Sequence, residues 1–210
     1  MLFTAQQRIV FIGDSITDCG RTAGAAPYGS GYVSMVRNLL VAQYPELHLT
    51  ILNRGISGNT VRDLAARWEK DAIAEQPDWL SIMIGINDCW RRFADGREKE
   101  AVLLPEYEAT LRRLLDRTRA ATSSRLILMQ PYMIEPNMEQ PMRHEMDNYT
   151  AIVSALAAEY GALLVPTQTA WDAALVHTAP GDWSEDKIHP TAPGHAVMAL
   201  AFLRAVAFAL

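Results

Sequence analysis

The sequence predicts an α/β fold, a three-layer α/β/α sandwich with a central five-stranded parallel sheet. Five short apolar runs recur along the chain, and the longer stretches between them have helical periodicity. Half of the 210 residues are apolar, which is enough for one sizeable core. No repeat or linker interrupts this alternation, so we expect a single domain over residues 1–210.

The runs predicted as strands are Arg8–Gly13, Leu47–Asn53, Trp79–Gly85, Arg125–Pro131 and Gly161–Thr167. Apolar stripes indicate two helices, one over Tyr107–Thr118 and one over Met146–Tyr160, and Gly161 is expected to end the second. The segment Met133–Arg143 contains two prolines and has little periodicity, so it is predicted as a surface loop near the rim of the sheet.

Charge, cysteines and the chain ends argue against several classes of protein. The formal charge of −5 comes from scattered acidic and basic residues, so we expect no nucleic-acid partner. Cys19 and Cys89 cannot form a disulfide framework and lack zinc-ligand spacing, which favours a cytoplasmic protein without a metal.

The start lacks a signal peptide's basic region, and the apolar run Ala196–Leu210 is shorter than a membrane span of about 20 residues. We expect no membrane partner and predict that this run is a docked helix at the interface of a homo-oligomer.

Three polar loops that contain glycine follow the first three predicted strands, over Gly13–Asp18, Gly55–Thr60 and Gly85–Asp88. In open parallel sheets, ligands bind beyond the carboxyl ends of the strands, because loops converge there and helix N-termini point at the ligand. We therefore expect the three loops to form one site. The hydroxyl of Ser15 can attack an acyl carbon there only if a base removes its proton and fixed donors meet the oxyanion.

The base is predicted to be His189, because it alone of the five histidines has a carboxylate, Asp186, at loop spacing. Pro190 biases His189 toward an extended backbone, so the three-residue separation can form a tight turn with Asp186 beside the imidazole. Taken alone, this pattern is more often a turn before a helix, and Ser15 or Asn87 in its loop is more often part of a turn or a helix cap. Their joint occurrence favours a hydrolase.

Together, the Ser, Gly-Asn, Asn and Asp-x-x-His blocks resemble those of SGNH (GDSL) hydrolases, and the resemblance spans nearly the whole chain. It implies a flavodoxin-like sheet and a serine esterase with Ser15, Asp186 and His189 as catalytic triad. It also implies that the oxyanion hole is formed by the backbone N–H groups of Ser15 and Gly58 and the side-chain amide of Asn87. Such a mechanism needs no cofactor. The G-x-S-x-G elbow of α/β-hydrolases is missing, because Ile16 and a threonine follow the serine.

Within this family, the chain looks similar to intracellular acetyl-xylooligosaccharide esterases over the runs Phe11–Arg21, Gly55–Asp63 and Ile82–Trp90. This implies a small acetylated oligosaccharide as substrate, with aromatic side chains against the sugar rings. Trp90 and Trp183, which neighbour the expected site, are the candidates for substrate binding. Core packing is the alternative for both, and it is expected for Trp68, Trp79 and Trp171.

Other functions stay open on the same residues. Lysophospholipases and thioesterases use the same catalytic set, so a lipid or thioester acylhydrolase is one alternative. A catalytically silent carbohydrate-binding protein is another, although it does not need the triad. A nucleotide-binding module is disfavoured, because no P-loop or G-x-G-x-x-G motif follows any predicted strand. Three arginines near the loops are expected to be solvated or paired with carboxylates: Arg54, Arg62 and Arg91.

Overall fold

Five parallel strands form the central sheet of the computed structural model, which describes residues 1–209. In chain order they are β1 (Arg8–Gly13), β2 (Thr50–Gly55), β3 (Trp79–Met83), β4 (Arg125–Met129) and β5 (Leu163–Val165). Across the sheet the order is β2-β1-β3-β4-β5, which is the flavodoxin-like order, and all neighbouring strands are parallel. The predicted sandwich with a five-stranded parallel sheet is confirmed.

Helices cover both faces of this sheet, because parallel neighbours need long crossover connections. They are α1 (Ser15–Asp18), α2 (Tyr32–Gln43), α3 (Val61–Trp68), α4 (Ile86–Trp90), α5 (Leu104–Ala121), α6 (Pro141–Glu159), α7 (Thr167–Leu175) and α8 (Ala192–Ala205). Helix α8 contacts both α2 and α7, whereas α5 contacts both α3 and α6, so these six helices form two groups. The short helices α1 and α4 begin just beyond the ends of β1 and β3.

The core lies between the sheet and these helices. Strands β1 and β3 are buried almost throughout, which explains why they are continuous apolar runs rather than alternating ones. Helix α5 turns Tyr107, Leu111 and Leu115 into the core and is longer at both ends than its predicted stripe. Three tryptophans are buried, as expected: Trp68, Trp79 and Trp171.

Of the five strands, β1 has its predicted bounds, and β3 and β4 each end two residues earlier than predicted. The other two differ for local reasons. Strand β2 begins three residues later than predicted, because Pro45–Leu47 forms a short 3₁₀ helix and His48 then takes a left-handed backbone with φ 46°. Strand β5 is shorter than the apolar run that suggested it, because Gly161, with φ 55°, still belongs to the turn that follows α6. The apolar pattern of each segment continues through its turn, so the pattern does not mark where the strand begins.

The prediction that Met133–Arg143 is a surface loop is right only for its middle part, because residues 136–139 are exposed and irregular. Its first residues are buried, and α6 already begins at Pro141. The Met133 backbone donates to Gln168 Oε1 at 2.8 Å and accepts from Gln168 Nε2 at 3.1 Å, so this irregular strand-like stretch satisfies its buried polar groups through a distant side chain. Hydrophobic periodicity does not reveal such a partner.

The C-terminal helix also differs from its prediction. Helix α8 begins at Ala192 rather than Ala196, and Leu210 lies outside the described residues. Its apolar side chains are buried inside the chain itself, and the Phe202 ring lies 5.0 Å from that of Phe11 in β1. The apolar run is therefore explained by the core and gives no support for a subunit interface. Among residues 1–209, no helix is long and apolar enough to cross a membrane.

Close packing of α1 on the end of β2 generates a prediction about Gly55. A Cβ atom there would lie 2.2 Å from the Asp18 nitrogen and 2.6 Å from the Thr17 carbonyl carbon, which are backbone atoms that cannot move aside cheaply. We expect Gly55→Ala to lower the free energy of unfolding by about 1–3 kcal/mol, measured by urea denaturation. Gly24→Ala is the matched control, because a Cβ at Gly24 meets nothing within 4 Å. Equal stability of both variants would contradict the prediction.

Candidate active site

The first three strands end at one level of the sheet. Gly13 at the end of β1 pairs with Gly55 of β2 on one side and with Met83 of β3 on the other. The loops that follow these strands therefore leave the sheet side by side. As expected from the sequence, Ser15, Gly58 and Asn87 follow these three strand ends: Ser15 and Asn87 lie in the first turns of α1 and α4, and Gly58 lies in the loop after β2.

Ser15 is the first residue of α1, directly after the sheet. The preceding residue, Asp14, caps this helix by accepting a hydrogen bond from the Ile16 backbone at 3.0 Å. Asp14 is buried, and burial raises the pKa of its carboxyl to about 7, although the Ile16 bond and the charge of His189 lower it. The cap holds the serine at the turn between strand and helix, where its hydroxyl is partly exposed.

Ser15, His189 and Asp186 form a chain of hydrogen bonds. Ser15 Oγ lies 2.9 Å from His189 Nε2, and His189 Nδ1 lies 2.6 Å from Asp186 Oδ2. An ionised carboxylate only accepts, so Nδ1 carries the imidazole proton and Nε2 is free to accept from the serine hydroxyl. This tautomer is the one in which a histidine can act as a general base toward a serine.

Asp186 is held by a tight turn. Its Oδ1 accepts from the backbone N–H of Ile188 at 2.9 Å, from that of His189 at 2.7 Å, and from Ser184 Oγ at 3.0 Å. Partial burial raises the pKa of Asp186, but the hydrogen bonds, first that from the His189 ring, outweigh it and lower the pKa to about 2. The carboxyl is therefore ionised at neutral pH.

The three predicted oxyanion donors are the backbone N–H of Ser15, that of Gly58 and the side-chain amide of Asn87. Gly58 adopts a left-handed backbone with φ 80° and has open space around its α-carbon, so conformation rather than room requires glycine there. Asn87 Nδ2 donates one hydrogen to the Asn59 carbonyl at 3.0 Å. That bond fixes the amide orientation and leaves the second N–H for a ligand.

Asp88 connects two of these loops. Its Oδ1 accepts from the Val61 backbone at 2.9 Å, at the first residue of α3, while its Oδ2 is buried without a hydrogen-bond partner among the described residues. Burial raises the pKa of Asp88 to about 7, the Val61 bond lowers it, and the charge of Asp14 raises it further. The sequence suggested only a helix cap at this position.

A cavity of about 190 Å³ opens beside His189. Trp90 lines it together with Ile86, Asn87 and Ile188, so one candidate substrate-binding residue borders the site. Trp183 is not among the residues that line this cavity; its ring packs edge-on against Trp171 at 6.0 Å. Larger cavities, of about 390 and 440 Å³, lie elsewhere and are lined by none of the predicted site residues.

The arginines near the loops make structural contacts. Arg54 is paired with Glu75 at 2.6 Å, Arg62 with Glu106 at 2.6 Å, and Arg91 donates to the Gly58 carbonyl at 2.5 Å. This agrees with the expectation of carboxylate pairing, which Arg91 also meets through Glu100 at 3.5 Å. Arg91 in addition holds the loop of a predicted oxyanion donor. The sequence did not indicate a role for Arg67, because this residue lies on an ordinary amphipathic helix and belongs to no motif.

His195 is a second histidine near the end of β1, but it is not available as a base. Its Nδ1 accepts from the Tyr32 backbone at 3.2 Å, and Nε2 faces Cys19 Sγ at 3.4 Å. Burial lowers the pKa of His195 to about 4, as does the charge of His189. The group is a neutral core histidine. The described residues contain no cluster of His, Cys, Asp or Glu that could hold a metal ion.

Comparisons with known proteins agree with this geometry. A model of the GDSL-like lipase/acylhydrolase family matches residues 11–197. An acetylxylan esterase of Geobacillus stearothermophilus is 49% identical over 208 residues, which cover 96% of this chain and 94% of that protein. A crystal structure of an acetylxylan esterase from the same organism superposes with a TM-score of 0.96 at 46% identity, over 100% of this chain and 98% of that one. Its solved catalytic mutants replace a serine, an aspartate or a histidine by alanine.

The buried carboxyl of Asp88 generates a prediction about pH. Its pKa is about 7 in the folded chain and 3.8 ordinarily, so the folded state holds a proton that the unfolded state releases between these values. Stability that this proton contributes is complete below pH 3.8 and is lost as the pH rises to 7. We expect urea unfolding of Asp88→Asn to show a smaller loss of stability between pH 4 and 7 than the wild type. The exposed Asp95→Asn is the control, and parallel curves for wild type and Asp88→Asn would contradict the prediction.

Proposed function

The chain belongs to the GDSL-like lipase/acylhydrolase family and is a carboxylic-ester hydrolase, and we propose that it removes acetyl groups from xylooligosaccharides through a serine acyl-enzyme. The observation that carries the mechanism is the unbroken chain of hydrogen bonds from Ser15 through His189 to Asp186. The substrate follows the acetylxylan esterases to which this chain is similar along nearly its whole length.

In the first half of the proposed reaction, Ser15 Oγ attacks the acetyl carbonyl carbon while His189 Nε2 takes its proton. Asp186 stabilises the imidazolium that results, because its pKa of about 2 keeps it ionised. The carbonyl oxygen becomes an oxyanion, which the N–H groups of Ser15, Gly58 and Asn87 stabilise. His189 then gives its proton to the sugar oxygen, and the sugar leaves as the alcohol.

In the second half, water enters the position that the sugar has left. His189 removes its proton as it attacks the acetyl carbon of the acyl-enzyme, and the same three donors stabilise the second oxyanion. Collapse of this intermediate returns the proton to Ser15 Oγ and releases acetate. Each proton moves between atoms of this chain, substrate and water, so these steps call for no cofactor.

The shape of the site supports an ester with a small acyl group, and the part of the site that would hold the alcohol is open to solvent. The cavity beside His189 holds about 190 Å³ and has apolar walls from Ile86, Trp90 and Ile188. About half of the His189 and Asp186 side chains is exposed, which leaves room for a sugar larger than the acyl group. We propose Trp90 as the aromatic substrate contact, because it lines this cavity and Trp183 does not.

The alternatives have less support. A long acyl chain needs more apolar space than an acetyl group, and the cavity beside His189 holds only about 190 Å³. A silent carbohydrate-binding protein does not need a histidine held in the tautomer of a base. Neither alternative is favoured by the acetylxylan esterases similar to this chain.

We further propose a single cytoplasmic domain that forms a homo-oligomer. Free Cys19 and Cys89 support a reducing compartment. An open apolar groove between Pro166, Ala170 and Ala201, rather than the buried face of α8, supports association. Light scattering of the purified chain measures its oligomeric state, and a monomer at all concentrations would refute the association.

A substitution of the nucleophile tests the function directly. We expect the wild type to hydrolyse p-nitrophenyl acetate and acetylated xylobiose, and Ser15→Ala to lose this activity, because Ser15 supplies the hydroxyl that is bonded to His189 Nε2. p-Nitrophenyl octanoate tests the acyl group, and faster turnover of octanoate than of acetate would redirect the assignment to a lipid hydrolase. Ser30→Ala is the control. Full activity of Ser15→Ala would refute the mechanism.

The oxyanion donor on α4 generates a second expected outcome. Asn87→Ala should lower kcat for p-nitrophenyl acetate by about 10²–10³ with little change in KM, because the lost hydrogen bond forms with the oxyanion rather than with the bound ester. Asn148→Ala, which removes an exposed amide on α6, is the control. An unchanged kcat in Asn87→Ala would remove this residue from the oxyanion hole.

A further inference from the structure

One arginine lies beneath the three loops of the site and has no assigned role. Arg67 is on α3, and its side chain is only 12% exposed. Four of its N–H bonds are used: Nε donates to Asn59 Oδ1 at 2.7 Å, one Nη to the Arg54 carbonyl at 2.7 Å and to Asp71 at 2.9 Å, and the other Nη to the Gly13 carbonyl at 2.9 Å. A surface ion pair with Asp71 explains only one of these four bonds.

The other three bonds reach the segments that carry the oxyanion donors. The Gly13 carbonyl ends β1, two residues before Ser15, and the Asn59 side chain belongs to the residue after Gly58. The Asn59 carbonyl in turn accepts from Asn87 Nδ2. One planar guanidinium therefore contacts the first loop and the second directly, and the third through a single residue.

The chemistry of these contacts requires an arginine. Guanidinium presents five N–H donors in a rigid plane, whereas a lysine ammonium has three donors at one point and cannot span three separate acceptors. Burial lowers the pKa of Arg67 and its hydrogen bond to Asp71 raises it, but guanidinium stays charged in proteins. Its charge lowers the pKa of Asp14, next to Ser15, so its field reaches the site.

We propose that Arg67 is the positioning residue of the oxyanion hole. It fixes the main chain around Gly13, Asn59 and the end of β2, so that the N–H groups of Ser15 and Gly58 and the Asn87 amide converge on one point before substrate arrives. Preorganised donors stabilise an oxyanion strongly because they need not reorient during the reaction. The inference rests on the proposed function of that site.

The test compares Arg67→Lys and Arg67→Met with Arg62→Met, which removes an exposed arginine from the same helix. We expect Arg67→Met to lower kcat for p-nitrophenyl acetate by about 10² with KM within about threefold, since the donors act on the transition state. Arg67→Lys should recover only part of the loss, and Arg62→Met should match the wild type. Circular dichroism and thermal melts identify the variants that fold.

A merely structural role is separated by two further measurements. Phosphonylation of Ser15 by a p-nitrophenyl phosphonate places a P=O group where the oxyanion forms, so this rate should fall together with kcat. A third variant, Arg67→Ala, leaves space for a free guanidinium ion. Millimolar guanidinium should restore part of the kcat of Arg67→Ala and none of the kcat of Asn87→Ala. If Arg67→Met does not fold, Arg67→Lys and the guanidinium rescue decide.

A folded Arg67→Met or Arg67→Lys that keeps wild-type kcat and phosphonylation rate would overturn the inference, while the esterase function stands. An inactive wild type, or full activity of Ser15→Ala, would instead refute the proposed function, so the two failures are distinguishable.

Discussion

The site depends on the parallel pairing of β1 with both of its neighbours. Gly13 stands level with Gly55 and with Met83, so three chain segments leave the sheet at the same height. The glycines at these ends let the loops approach more closely than side chains permit: a Cβ on Gly13 would lie 2.3 Å from the Met83 carbonyl oxygen. Strand register thus determines which residues can meet before any catalytic group is considered.

The carboxyl groups on the two sides of these strand ends have pKa values that are shifted in opposite directions. Toward solvent, Asp186 is held ionised by the hydrogen bonds it accepts, and it orients His189. Beneath the loops, burial raises the pKa of Asp14 and of Asp88 to about 7, so both carboxyl groups carry less negative charge near a developing oxyanion. Arg67 adds a fixed positive charge there. In the proposed mechanism, Arg67 lies beneath the oxyanion donors as a cation, while the ionised Asp186 is bonded to the base.

The sheet and the placement of Ser15, Gly58 and Asn87 on neighbouring loops could be predicted from the sequence, because apolar runs and glycine-containing loops are local signals. The pairing of His189 with Ser15 was harder to predict, because it joins distant parts of the chain. Only a short motif indicated it. Arg67 could not be predicted, because its role depends on three carbonyl and amide oxygens from separate segments. The burial of Met133 was likewise hidden, since Gln168 supplies its partners from a different helix.

The bond between Ser15 and His189 spans 174 positions of sequence. Nucleophile and base therefore meet only when the first strand and the last loop have both docked on the same edge, which is a contact of very high sequence separation. During synthesis, the serine emerges from the ribosome 174 residues before its base. Ester hydrolysis consequently reports on completed native topology, and partly folded forms with an intact sheet but an undocked last loop are chemically silent.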